Sequence, residues 1–202
     1  MRPLTLDDLL PLDEYAHRRR ECFESLSRYL DRYRRVRIGP HVTLLFENRQ
    51  TLWFRLQEVL RIARLTESTR VQEELDLYND LLPGCGQLQA AFVIETASDG
   101  PAVTDALATW QTLPGKALRL QLGATQVAAQ VRTCRPEDRC TGAAQWVQFS
   151  LAAAERRLLA DFRHSARFAV AHGNYRHESP PLSDDVRQSL LDDLQLSDRD
   201  NK

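Results

Sequence analysis

The chain has 202 residues, a formal net charge of −1 and a pI near 6.5, and 43% of its residues are hydrophobic. This length suits one domain with a sizeable core, and the near-neutral charge excludes a protein that binds polyanions over its whole surface. No apolar run approaches the ~18 residues that a membrane span needs, and the acidic N-terminal stretch is unlike a secretory signal. We therefore expect a cytoplasmic protein with reduced cysteines.

The first predicted elements are a short capped turn and a long basic helix. Thr5 followed by Asp8 is typical of a capping box, and Pro11 ends that turn. A helix is then predicted over residues 13–35, with apolar residues along one side. Its other face carries seven arginines, which are Arg18, Arg19, Arg20, Arg28, Arg32, Arg34 and Arg35.

Residues 40–65 are predicted to lie at the centre of the fold. Apolar and polar residues alternate over 42–47, which is typical of a half-buried strand. After a polar turn at 47–49, apolar residues recur at helical spacing, so we expect a mostly buried helix. Gln57 and Glu58 lie within this helix, and buried polar groups need partners. The turn and these two residues therefore form the first candidate for a functional site.

The rest of the chain alternates between predicted helices and strands. Helices are predicted at 71–82, 98–110, 152–162 and 183–194. Strands are predicted at 88–96, in a hairpin at 117–133 around Gly123, at 145–151 and at 166–171, and residues 172–177 are interpreted as a loop. Strands joined by links of hairpin length favour an α+β fold, with a mostly antiparallel sheet of about six strands packed with helices.

We expect a single domain over residues 1–202. Within it, 1–38 form a basic helix that packs on the core, 39–177 form the α+β core, and 178–202 form an acidic C-terminal helix and tail. The basic first helix and the acidic last helix have opposite charges, so they can pair within the fold or between subunits. A homodimer is therefore one expectation.

Histidine and glutamate residues are the candidates for a metal site. Imidazole and carboxylate groups ligate iron, zinc and manganese, so a divalent metal is an expected cofactor. The predicted ligands are His41, Glu47, Glu58, His172 and His177. Their spacing matches no metal motif, and pairing of the glutamates with arginines is the competing interpretation. For Glu58 we predict substantial burial and an ion pair with an arginine, of which Arg49 is the nearest in the polar turn.

A wider polar set is predicted to bind a ligand. Glu74 and Tyr78 share a helix face, where a hydroxyl and a carboxylate can hold a polar ligand, although such a tyrosine is more often part of the core. Residues 172–177 follow a strand and contain glycine, so they form either a functional loop or an ordinary turn. The predicted set is His41, Glu47, Asn48, Arg49, Gln57, Glu58, Glu74, Tyr78, Asn79, His172 and Tyr175.

Two further interpretations stay open. Cys134 and Cys140 flank arginines that lower thiol pKa values, so they form either a redox disulfide or incidental thiols of a loop. The arginines of residues 18–35, with tyrosines between them, suit a nucleic-acid contact, but neighbouring acids dilute their charge. No P-loop, G-x-G-x-x-G or G-x-S-x-G motif occurs, so nucleotide binding and serine hydrolysis lack support.

Three segments carry a resemblance to a known family. They are PHVTLLFENRQT from Pro40, LYNDLLPG from Leu77 and HGNY from His172. With the opening stretch LTLDDLLPLDEY, they resemble the bacterial domain-of-unknown-function family numbered 3501 over nearly the whole chain. The matching residues include His41, Glu47, Asn48, Arg49, Gln57, Glu58, Tyr78, Asn79, His172 and Tyr175.

The resemblance implies a setting but no established activity. Members of the family are often encoded near rubrerythrin-like and heterodisulfide-reductase-like iron–sulfur proteins, which implies redox or oxidative-stress metabolism. We therefore expect an accessory protein that binds an iron–sulfur or diiron redox protein and does no chemistry itself. The alternatives are a small metal- or ligand-binding enzyme that uses the polar cluster around 47–49 and Glu58, and a nucleic-acid binder that uses the basic helix.

Overall fold

The computed structural model of the protein describes residues 1–95, 115–132 and 144–199. The predicted helix at 98–110, Cys134 and Cys140 lie outside the described residues. The described ranges contain five α-helices and nine strands, and the strands form two antiparallel sheets. This arrangement confirms the predicted α+β class. The number of strands is larger than the predicted six, because the chain forms two sheets rather than one.

The helices are α1 (Leu12–Tyr29), α2 (Arg49–Ala63), α3 (Ser68–Asn79), α4 (Ala153–Ala160) and α5 (Asp184–Arg199). The strands are β1 (Arg35–Ile38), β2 (Val42–Glu47), β3 (Gln87–Ile94), β4 (Leu118–Leu122), β5 (Thr125–Ala128), β6 (Gln130–Arg132), β7 (Ala144–Ser150), β8 (Ala166–His172) and β9 (Tyr175–Glu178). A π-helical turn, Leu30–Arg34, continues α1, and 3-10 turns lie at Leu6–Asp8 and Gly115–Ala117. Over the described residues, none of the helices combines the length and apolarity that crossing a bilayer requires.

The main core lies between the two sheets. The first sheet has the strand order β1-β2-β3-β7-β6, and the second has the order β5-β4-β8-β9. Phe46 and Phe149 of the first sheet each lie 5.2 Å, centroid to centroid, from Phe168 of the second. Leu159 of α4 and Leu190 of α5 complete this core. Residues of helices α1, α2 and α3 form two smaller apolar clusters outside the main core. Polar residues on the outer face of the first sheet face α2.

The predicted strand, turn and helix at the centre of the chain are confirmed. The side chains of β2 alternate, so that Leu44 faces the main core and Glu47 faces α2. Asn48 caps α2, because its Oδ1 accepts hydrogen bonds from the backbone N–H groups of Gln50 at 3.0 Å and Thr51 at 3.1 Å. Local sequence therefore carries the polar turn to the junction of the sheet and the helix.

The predicted helix over 13–35 is confirmed to within one residue at each end, because α1 and the π-helical turn together run from Leu12 to Arg34. The strand that follows was not predicted: residues 35–38 form β1, which pairs with β2. Within β1, Val36 and Ile38 are buried between exposed or half-buried arginines, which is the two-residue period of a strand. The apolar stripe of the preceding helix hides this change of period, and pairing with β2 across the turn at Gly39 decides it.

Two interpretations of the β-rich segments are also corrected. Residues 172–177 form a hairpin rather than a loop, since Gly173 turns the chain at a φ of 55° and β9 pairs with β8. The predicted hairpin at 117–133 is split at Ala129. Strand β5 pairs with β4 in the second sheet, whereas β6 pairs with β7 in the first. The alternation continues through Ala129, so the change of sheet is decided by the partner strands alone.

The basic first helix and the acidic last helix pair within the fold. Arg32 contacts Asp185 at 2.9 Å, and Arg34 contacts Asp193. Six of the seven arginines contact a carboxylate of the same chain: Arg18, Arg19, Arg20, Arg32, Arg34 and Arg35. The nucleic-acid interpretation stays a prediction, and this internal pairing argues against it.

Candidate functional site

The polar turn at 47–49 lies between an open cleft and a buried cluster. The cleft, which we call the α2 cleft, has a volume of about 580 Å³. This volume falls within the range of about 300–1,000 Å³ typical of small-molecule sites. The lining residues are Met1, Arg2, Asp8, Asn48, Arg49, Gln50, Trp53 and Asp193. Two members of the turn, Asn48 and Arg49, therefore face a space large enough for a ligand.

Arginines and one carboxylate form the charged wall of the α2 cleft. Asp8 bridges two arginines, since its Oδ2 lies 2.6 Å from Nη2 of Arg49 and its Oδ1 lies 3.0 Å from Nη2 of Arg2. Hydrogen bonds from Arg49 and from the backbone of Thr5 lower the pKa of Asp8 to about 2. Nε of Arg49 is buried and has no hydrogen-bond partner within the described part of the chain. That nitrogen is enclosed, whereas the Arg49 side chain as a whole is 32% exposed.

The floor of the cleft is held by a buried polar network. Asp193 and Arg34 form an ion pair whose side chains are 5% and 3% exposed. The hydroxyl of Tyr29 accepts hydrogen bonds from Nε of Arg34 and Nδ2 of Asn48, both at 2.8 Å. The π-helical turn accounts for this arrangement, because it places residues five apart, such as 29 and 34, on one side of the helix. The network connects α1, α2 and α5 beneath the cleft.

Trp53 supplies an aromatic wall to the cleft. Its Nε1 donates a hydrogen bond to the backbone carbonyl of Asp8 at 2.8 Å, and its ring meets the ring of Tyr15 edge-on at 6.2 Å. These contacts tie the 3-10 turn Leu6–Asp8 to α2. The α2 cleft therefore combines an aromatic surface, two arginines and the amide of Gln50, a mixture suited to a small polar ligand.

Glu47 lies in the buried cluster on the sheet side of α2. Its side chain is 1% exposed, Thr51 Oγ1 donates to its Oε2 at 2.5 Å, and Arg55 Nη2 lies 2.6 Å from its Oε1. Burial would lower the pKa of Arg55, but the Glu47 carboxylate outweighs it and raises that pKa. The Arg55 guanidinium also lies over the Trp146 ring, 5.4 Å from its centroid. Glu47 is thus paired with an arginine, as the competing interpretation expected.

Glu58 is paired on the opposite side of α2, and its predicted partner is wrong. Arg19 of α1 contacts it through two nitrogens at 2.9 Å, and the hydroxyl of Tyr15 donates to it at 2.8 Å. Arg61 adds bonds of 3.1 and 3.2 Å, whereas Arg49 contacts Asp8 instead. The Glu58 side chain is 17% exposed, so burial and pairing with an arginine are confirmed. Packing of α1 against α2 decides the partner, which lies 39 positions away.

Removing the charge of Glu58 is expected to destabilise the protein by about 1–2 kcal/mol at pH 7. The pKa of Glu58 is lowered from 4.5 to about 2, and the hydrogen bond from Arg19 is the largest cause. Because the folded-state pKa is the lower one, this stabilisation is present above about pH 4.5 and is lost as the pH falls towards 2. We expect Glu58→Gln to melt below the wild type at pH 7 and the difference to shrink at pH 2–3. Glu24→Gln, which breaks an exposed pair with Arg20, is the control. Equal losses in both variants would contradict this result.

The five predicted metal ligands do not converge on one point, although the rings of His41 and His177 both lie close to the ring of Tyr175, at 6.1 and 4.3 Å between centroids. His41 precedes β2 and Glu47 ends it, so about 20 Å of strand separates them. Glu58 lies on the face of α2 that packs against α1. His172 and His177 belong to the β8–β9 hairpin. Over the described ranges, no three histidine, cysteine, aspartate or glutamate side chains are grouped so that they could hold a metal ion. The five predicted ligands therefore do not form one cluster, and metal binding by the protein stays a prediction.

The remaining predicted residues have structural contacts. Tyr175 donates a hydrogen bond to the carbonyl of Ile38 at 2.5 Å and accepts one from the backbone N–H of His41 at 3.2 Å, which joins the second sheet to the β1–β2 turn. Asn79 exchanges two hydrogen bonds with the backbone of Leu4, at 2.8 and 3.0 Å.

Three other residues of the predicted set lie away from the cleft. Gln57 is fully buried on α2, and its Nε2 donates to the carbonyl of Leu10 at 3.3 Å. Glu74 and Tyr78 are half-buried on α3. None of these three lines the α2 cleft.

Six residues that line the cleft were not predicted as site residues: Met1, Arg2, Asp8, Gln50, Trp53 and Asp193. Gln50 and Trp53 were detectable in principle, because they follow the polar turn by one and four positions on the same helix. Asp193 had no local signal, since it reaches the cleft through a contact that spans 159 positions.

Comparisons with known proteins agree with this fold. A family model described as "Protein of unknown function (DUF3501)" matches residues 3–194. A search of curated proteins gives no match. Among solved structures, a crystal structure of a novel protein of unknown function from Burkholderia pseudomallei K96243 is similar, with 28% sequence identity and a TM-score of 0.83. The alignment covers 96% of this chain and 100% of that chain. The family model spans every residue of the α2 cleft except Met1 and Arg2, and the chain belongs to the DUF3501 family of proteins of unknown function.

Proposed function

We propose that the protein binds a small anionic ligand, with a carboxylate or phosphate group, in the α2 cleft. The observation that carries this proposal is the position of Arg49 on the wall of a cleft of about 580 Å³. Its side chain is 32% exposed, so the contact with Asp8 leaves part of it open to the cleft. A guanidinium is the group that proteins use most often to hold carboxylates and phosphates.

The electrostatics of the cleft favour an anion. Arg2 and Arg49 outnumber Asp8 on the wall, and Asp193 on the floor is neutralised by Arg34. The N-terminus of α2 adds the positive end of a helix dipole. Asn48 already accepts hydrogen bonds from the backbone N–H groups of Gln50 and Thr51, so the ligand would meet the dipole and the guanidinium groups rather than these two amides.

The protonation states support binding rather than proton transfer. The pKa of Asp8 is lowered to about 2, so this carboxylate stays ionised near neutral pH. Guanidinium groups stay protonated at any physiological pH. The charged wall of the cleft is therefore suited to hold a charge in place, and a binding protein is the function that these residues support best.

Calorimetric titration with two probes, citrate and inorganic phosphate, tests the proposal. We expect the wild type to bind at least one of them and Arg49→Gln to bind it about tenfold more weakly or worse, because charge-assisted hydrogen bonds contribute roughly 1.5–3 kcal/mol. Arg70→Gln is the matched control, since Arg70 is exposed on α3 and its loss changes the net charge equally. Comparing the probes separates a carboxylate site from a phosphate site.

Two results would contradict the proposal. One is the absence of binding of both probes to the wild type at millimolar concentration in low salt. The other is equal affinity of Arg49→Gln and Arg70→Gln, which would mean that the anion responds to overall charge rather than to the α2 cleft.

A further inference from the structure

We infer that Asp8 is an internal competitor for the ligand of the α2 cleft, and that the ligand's anionic group is a carboxylate. This inference rests on the proposed binding function and specifies both its ligand class and its regulation. Its starting point is that one carboxylate, from the chain itself, already occupies the two arginines of the cleft wall.

The contacts of Asp8 show what these arginines accommodate. Arg2 and Arg49 each place one Nη2 on a different oxygen of the Asp8 carboxylate, at 3.0 and 2.6 Å. This arrangement bridges a flat, two-oxygen anion between two cations. Thr5 holds the same carboxylate through its backbone N–H at 2.8 Å and its hydroxyl at 2.9 Å. The site is therefore shaped around a carboxylate, which favours that group over a tetrahedral anion.

The position of Asp8 has a direct consequence for affinity. A ligand carboxylate that approaches Arg49 meets the negative charge of Asp8 beside it, and like charges in close contact weaken binding. The ligand must either share Arg49 with Asp8 or replace it. Replacement would move the turn Leu6–Asp8, which Trp53 holds through the carbonyl of Asp8. A ligand that replaces Asp8 therefore couples its binding to release of this N-terminal turn.

The Asp8→Asn variant tests the inference, with citrate as the probe. Asparagine has nearly the same shape and keeps an oxygen that accepts from Thr5, but it lacks the charge. We expect citrate to bind Asp8→Asn about fivefold more tightly or better than the wild type. Asp7→Asn is the matched control, because Asp7 is the exposed neighbour and its replacement changes the net charge equally. We expect no gain of affinity in the control.

A double-variant cycle shows whether Asp8 acts through Arg49. In an Arg49→Gln background, the gain in citrate affinity from Asp8→Asn should disappear, because the guanidinium for which Asp8 and citrate compete is absent. The indole N–H resonance of Trp53 should also shift when citrate binds to the wild type. If Asp8→Asn melts below the assay temperature, Asp8→Ser supplies the same loss of charge with a short acceptor.

The outcomes separate this inference from the proposed function. If citrate binds the wild type through Arg49 but Asp8→Asn gives no gain, or the same gain as Asp7→Asn, the competitor role is overturned and the binding function stands. A gain for phosphate but not for citrate would overturn the assignment of a carboxylate. Failure of the wild type to bind either probe would overturn the binding function itself.

Discussion

Replacing Asp193 with alanine is expected to lower the free energy of unfolding by about 3–5 kcal/mol. The substitution leaves the Arg34 guanidinium, which is 3% exposed, without its carboxylate. Arg34 Nη2 donates to Asp193 Oδ1 at 3.2 Å, and water cannot easily take the place of this partner in a buried site. The pair also joins α5 to the π-helical turn, so the loss should affect the whole fold. Urea unfolding at pH 7 measures the change.

Two further variants make the result specific to the buried pair. Asp192→Ala removes the exposed neighbouring carboxylate, whose partner is Gln188 at 2.8 Å, and should change the stability by less than about 0.5 kcal/mol. The double variant Arg34→Met with Asp193→Leu should recover much of the loss, because apolar side chains of similar size remove both buried charges together. Similar losses for Asp192→Ala and Asp193→Ala would show that the pair does not stabilise the fold.

The second large effect is expected at Arg187 of α5. Its guanidinium is buried and donates hydrogen bonds to four backbone carbonyl groups, which are those of Leu158 at 2.9 Å, Leu159 at 2.6 Å, Asp161 at 2.8 Å and His164 at 2.6 Å. These carbonyls lie at and beyond the C-terminus of α4, where a helix cannot satisfy its own acceptors. We expect Arg187→Ala to lower the free energy of unfolding by about 3–4 kcal/mol, since hydrogen bonds from charged donors are the stronger ones.

Variants at and beside position 187 show whether the hydrogen bonds account for the loss. Arg187→Lys should recover only part of the stability, because an ammonium group cannot reach four acceptors with a planar fork of donors. Gln188→Ala, at the exposed neighbouring position, is the control and should melt within about 1–2 °C of the wild type. Hydrogen exchange at the end of α4 should quicken in Arg187→Ala alone. An Arg187→Ala variant as stable as the control would refute this account.

Binding of an iron–sulfur or diiron redox protein, formation of a homodimer and a cytoplasmic location stay predictions. The DUF3501 match covers residues 3–194 and establishes the family alone. The α2 cleft supplies a specific alternative to a purely accessory role, since a protein that binds a small anion can report that ligand to a partner or act on its own.

Much of the candidate site follows from local sequence. The alternation in β2, the capping residue Asn48 and the helical period of α2 involve residues within about fifteen positions of one another, and backbone geometry relates such residues directly. For that reason the polar turn and its place between a strand and a helix were predictable. The burial of Glu47 and Glu58 next to arginines was predictable as well, because a buried carboxylate needs a cation.

The tertiary structure decided which groups meet and what they form. The sequence cannot show that Arg19 rather than Arg49 reaches Glu58, because this depends on how α1 crosses α2. It also cannot show that Asp8 and Asp193 come to the same cleft, since contacts between distant segments are set by packing and not by periodicity. Packing also decides that residues 35–38 form strand β1 and that the chain changes sheet between β5 and β6. In both cases the strand forms by pairing with a partner strand, which local sequence does not specify. Composition, period and caps thus determined the elements, whereas the pairing of charges across them, and with it the α2 cleft, arose only in the folded chain.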